Sequence, residues 1–125
     1  MTSDNYVAGS CNIGAQEIHR RYQVANVGIV LYAIHLGVII LLNQTGVVRG
    51  LIFIPAFIAS IGFMQGRKAF CVAYGFAGIY NLEKLGLRKS VGSDEARKAD
   101  QRRALVITGQ ALALALVLTT VAYLI

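Results

Sequence analysis

Few residues in this chain are of types that do chemistry, and most of those stand inside or beside apolar sequence. His35 is the most conspicuous. It lies slightly past the middle of an uncharged run from Val24 to Leu42, where a charged imidazole is costly, so it is expected to be neutral and to face protein. A neutral imidazole there could ligate a haem iron or a chlorophyll magnesium, or relay a proton. The competing expectation is a packing histidine bonded to a neighbouring helix, through Gln110, Thr108 or a carbonyl freed by Pro55. A bis-histidine haem needs a second ligand at similar depth. The only other histidine, His19, belongs to the basic flank that precedes the run.

Cys11, His19 and Cys71 form the second set. Two thiols and an imidazole are zinc-type ligands, although no pair of them has close metal-site spacing. If the N-terminal segment folds back, Cys11 and Cys71 meet near His19. The neighbouring Arg20, Arg21, Arg67 and Lys68 would then stabilise thiolates, the state that binds metal or senses oxidants. The plainer alternative is two independent cysteines, with Cys71 a small packing residue inside an apolar segment.

The elements that must position these residues follow from hydropathy. Hydrophobic residues make up 56% of 125 and charged residues 14%, against roughly 25% charged in a soluble domain. Mean hydropathy is +0.59 and the apolar residues are blocked rather than scattered. That excludes a disordered chain, a disulfide scaffold and an ordinary water-soluble globule, and predicts an all-α integral membrane protein. Val24 to Leu42 and Val47 to Gln65 read as two spans joined by the polar turn Asn43–Gly46, with Arg49 snorkelling and Pro55 kinking the second. Ala104 to Ile125 reads as the third. The apolar segment 69–82 corresponds to about 21 Å of helix, too short to cross alone, and is expected to form an interfacial amphipathic or re-entrant helix. Glu83 to Arg103 is a basic polar segment, with Ser93 as the expected N-cap of a helix that continues into the third span. Within it, Asp94 with Lys98 and Asp100 with Arg103 have helical pair spacing. The whole chain is one membrane domain.

Small residues recur at four-residue spacing, as Ala33 and Gly37, Ala56 and Ser60, Ala111 and Ala115. Such pairs let helices approach closely, and Gln110 with Thr108 adds a polar group that wants a partner. Net charge is +6. Because the basic residues cluster beside apolar blocks, anionic lipid headgroups are the expected partner and nucleic acid is not. Arg20 and Arg21, with nine Lys and Arg between Gln65 and Arg103, face one side, against Arg49 alone near the first turn. This places the N-terminus in the cytoplasm of a bacterial inner membrane and the C-terminus outside.

Cys11-Asn12-Ile13-Gly14, with Glu17-Ile18 and Arg20, then Gln65-Gly66-Arg67 and Phe70-Cys71, resembles a class of small bacterial membrane proteins without assigned activity. The resemblance implies no catalytic residues and raises interest in Cys11 and Cys71 as a pair. There is no glycine-rich phosphate loop, no H-E-x-x-H and no Asp or Glu within a membrane block, which argues against an enzyme or an ion-coupled pump. The expected function is a non-catalytic accessory or scaffolding subunit of a larger membrane complex of respiratory or photosynthetic type. Its rivals are a haem or chlorophyll protein using His35 and a thiol or metal site using Cys11 and Cys71.

Overall fold

The computed structural model describes residues 6–82 and 89–125. Three of its helices are long and apolar enough to cross a membrane: α1 (Ala15–Leu41), the broken pair α2 (Val47–Gly50) and α3 (Phe53–Lys68), and α5 (Asp94–Leu124). α5 has 31 residues, about 46 Å, so its charged first turns extend well beyond the apolar stretch. Ser93 caps it, its Oγ accepting from Ala96 N at 3.1 Å, with Asp94 and Glu95 in the first turn.

α1 and α3 pack antiparallel on backbone rather than on side chains. A Cβ on Gly28 would stand 2.4 Å from Ala59 N, and one on Gly62 would stand 2.7 Å from Ala25 N. Only glycine allows so close an approach, which in lipid replaces hydrophobic burial as the source of packing energy. α5 joins them through fully buried alanines, Ala104, Ala111 and Ala115. Ile39, Ile52 and Ala122 form a small core at one end, and Phe70, Ala104 and Ile107 form another at the opposite end.

Pro55 interrupts the second span as expected, through a break just before it rather than a smooth kink. It is the third residue of α3, where its missing N–H is no loss. Its ring would crowd the carbonyl four residues back, that of Leu51, and the helix breaks there: Ile52 N bonds to Arg49 O and Ile54 N to Leu51 O in tight three-residue turns. Arg49 does not simply snorkel. It donates to Gln44 O at 3.2 Å and to Tyr123 O at 3.2 Å, capping the carbonyl end of α5 and tying it to the first turn.

The expected single helix over 69–82 is also corrected. Ala69 sits in the left-handed region at φ 51° and ends α3, and Phe70 and Cys71 follow as buried chain. Only Val72–Ala77 is helical (α4), because Gly78 at φ 74° terminates it. Ile79–Tyr80 (β1) then pairs antiparallel with Lys89–Ser90 (β2). Residues 83–88 of the expected basic segment lie outside the described residues.

Candidate functional site

Four buried polar side chains, Asn12, Glu17, Asn81 and Asp100, gather at the end of the bundle where the N-terminal segment folds back. Cys11, Asn12 and Ile13 are buried there, and the main chain pairs on both sides: Asn12 N donates to Ala69 O, Asn81 N to Asn12 O, and Gly14 N to Asn81 O. The Asn12 side chain fills the remaining gap. Its Oδ1 accepts from Cys71 N at 2.6 Å and its Nδ2 donates to Cys71 O at 3.1 Å, an oxygen that also accepts from Gly75 N, so one amide engages both backbone groups of a buried residue. Gln65 Oε1 likewise accepts from Val72 N at 2.8 Å.

Beside this lies a chain of ionisable groups. Tyr74 OH donates to Glu17 Oε2 at 2.6 Å, Glu17 Oε1 pairs with Arg21 Nη1 at 3.4 Å, and Arg21 Nη2 donates to Cys71 Sγ at 3.0 Å. Glu17 is 2% exposed, so its charge is compensated by the arginine one turn on and by the tyrosine. Asp100, fully buried, accepts from Tyr6 OH at 2.6 Å and from Gly9 N at 2.7 Å, and the Tyr6 ring stacks on Tyr80 at 4.5 Å. Burial, and after it the bond to Asp100 and the negative charge there, hold the Tyr6 phenol above its ordinary range.

Sequence reasoning reached this region only through Cys11, His19 and Cys71. Both cysteines are buried and free; Cys11 Sγ donates to Ile13 O, and Cys71 takes the arginine. His19 is exposed on α1 instead. Among the described residues no group of three His, Cys, Asp or Glu side chains is placed to hold a metal ion, so the three are not gathered. Glu17 pairs with Arg21 one turn on, whereas Asp100 turns to Tyr6 and Gly9 rather than to Arg103, the partner its spacing suggested. Asn12, Asn81 and Tyr74 were missed. The one signal for them was the presence of asparagines beside apolar residues near the cysteines.

His35 Nε2 lies 2.8 Å from Val48 O. A carbonyl only accepts, so Nε2 carries the proton, and a neutral ring leaves Nδ1 as the acceptor. Val48 O is available because Ile52 N, its regular partner, has turned to Arg49. His35 thus stitches α1 to the broken helix, and the ring nitrogen farthest from the backbone is the one engaged. An apolar recess of about 440 Å³ surrounds it, lined by Leu31, Ile34, Val38, Leu51, Ile54 and Pro55.

The packing candidates divide. Ala111 and Ala115 are fully buried, whereas Ala33 is exposed and a Cβ on Gly37 would meet nothing within 4 Å. The Thr108 hydroxyl is buried with no hydrogen-bond partner among the described residues. Gln110 is exposed on α5 beside Gly109, around which a Cβ also finds open space. Comparison with family models, with curated proteins and with solved structures returns no match.

Proposed function

We propose that the chain is a non-catalytic accessory subunit, held in a larger membrane assembly through the outer face of α5. The observation that carries this reading is Gln110. Its primary amide has no hydrogen bond to any described residue, although it lies in the apolar part of a helix long enough to span. In lipid such an amide gains from a partner on another helix. The neighbouring Gly109 and exposed Ala113 leave room for that helix to come close. The interior supports the same reading. Asn12, Glu17, Arg21 and Asp100 are spent on backbone and on one another, as in a structural knot rather than a reaction centre. The basic flanks support placing that knot on the cytoplasmic side.

A photo-crosslinking residue at Gln110, compared with one at the buried Ala111, tests the proposal in native membranes. Crosslinks to a larger membrane protein from 110 alone, together with loss of a high-mass band on native gels in Gln110→Leu, are the expected result. A chain that migrates alone, and identically in Gln110→Leu, overturns it.

A further inference from the structure

The tandem arginines of α1 have opposite fates. Arg21 is drawn inward to Glu17 and Cys71, whereas Arg20 is exposed and has no ion pair or hydrogen bond among the described residues. His19 and Gln23 are exposed and equally without partners there. Together they line a recess of about 510 Å³ with Ala15 and Gln16. A second recess of about 260 Å³ shares Arg20 and Gln23 and continues along Val24, Val27 and Ile58, on α1 and α3. No carboxylate lines either recess among the described residues. The nearest on the helix, Glu17, is buried and already paired, so it does not neutralise Arg20.

We propose that these two recesses form one binding site for an anionic phospholipid. Three observations select that occupant. Arg20 lies one turn before the apolar run that begins at Val24, which is headgroup depth for a spanning α1. The guanidinium offers a planar pair of donors matched to a phosphate, with the Gln23 amide and the His19 ring beside it as further donors. Directly below, the lower recess is walled by Val24, Val27 and Ile58, Val27 lying seven positions past Arg20, about 10 Å along the helix, as the first methylenes of an acyl chain require. An acidic protein segment would match the upper recess but not the lower. The proposal rests on the reading of α1 as a membrane span and does not depend on the partner at Gln110.

Lipid retained by the purified full chain tests it. The chain is exposed to phosphatidylglycerol and phosphatidylcholine of identical acyl chains, and bound lipid is counted by native mass spectrometry. The wild type is expected to keep one phosphatidylglycerol in preference. Arg20→Gln should lower that preference about tenfold, in keeping with loss of one charge-assisted contact near a membrane surface. Val27→Trp should reduce retention of both lipids by filling the lower recess, and Lys98→Gln, the same charge change on exposed α5, should change nothing. Unaltered helical circular dichroism in Arg20→Gln excludes misfolding as the cause. Equal retention of the two lipids overturns the site, and so does wild-type behaviour of Arg20→Gln. Displacement by soluble glycerol phosphate overturns it in favour of a free phosphate site, and release of a bound protein from Arg20→Gln in favour of an acidic partner. A chain that does not sediment with membranes at all refutes the spanning reading instead, which separates the two failures.

Discussion

At the scale of single residues, the knot at the N-terminal end is held by side chains that imitate backbone. Asn12→Ala removes the partner of the buried Cys71 N–H, while Cys71 O keeps Gly75 N, a loss of roughly 1–3 kcal/mol. The two buried thiols report it directly: labelling by a maleimide should be slow in the wild type and at least tenfold faster in Asn12→Ala, whereas unchanged labelling would show that the amide is dispensable. Tyr6 supplies a pH dependence. Its phenol is raised by burial and by Asp100, so the folded state keeps a proton that the unfolded chain loses near pH 10. The stability this contributes is complete below pH 10 and declines as pH rises above it. Thermal melts should therefore show a steeper alkaline loss in wild type than in Tyr6→Phe, with Tyr6→Phe less stable at neutral pH by about 1 kcal/mol. Parallel pH profiles of the two proteins would remove Tyr6 as the cause.

At the scale of elements, glycine placement decides which helices touch. Gly28→Val puts side chain where Ala59 backbone already lies and should separate α1 from α3, giving a chain that fails to melt cooperatively. Gly37→Val and Gly109→Val, which face open space, should keep the wild-type transition within the detergent-solubilised chain. Equal effects at all three positions would contradict the packing. The end of α3 carries an opposite prediction: Ala69 holds φ 51°, a conformation glycine adopts without strain. Ala69→Gly should raise stability by about 0.5–1 kcal/mol, read as a higher melting temperature. Arg49 shows how one charge joins two elements, since it caps α5 from the turn after α1. Arg49→Leu should fray the last turn of α5, seen as faster amide exchange at Ala122 and Tyr123.

At the scale of the whole molecule, three helices bury only 17–33% of their most apolar windows within the chain. In the proposed assembly the remainder would be covered by lipid or by other protein, with the charge asymmetry setting the orientation. In a background lacking Cys11 and Cys71, a cysteine at exposed Ser93 should be labelled from the cytoplasmic side, and one at exposed Thr45 only from outside. The reverse pattern would invert the topology.

The one-dimensional pattern alone determined the three apolar helices, the capped start of α5 at Ser93 and the shortness of segment 69–82. Each depends on neighbours within a few residues: hydropathy summed along one helix, a serine three residues before an amide, a run too short for the hydrocarbon. What only the tertiary structure decided depends on distant partners. The hold of Asn12 on Cys71 was not legible, because its bonds cross 59 residues of sequence. Asp100 has a regular partner three residues on and instead meets Tyr6 and Gly9 across 94 and 91 residues. Arg20 and Arg21 are identical in type and adjacent, and the 100° turn of one helical step sends one outward and the other to Glu17 and Cys71. His35 was legible as a residue in want of a partner. A carbonyl freed by Pro55 was among its expected partners; that it is Val48 O depends on where the helix breaks and on the close approach of α1 and α3 that Gly28 and Gly62 permit.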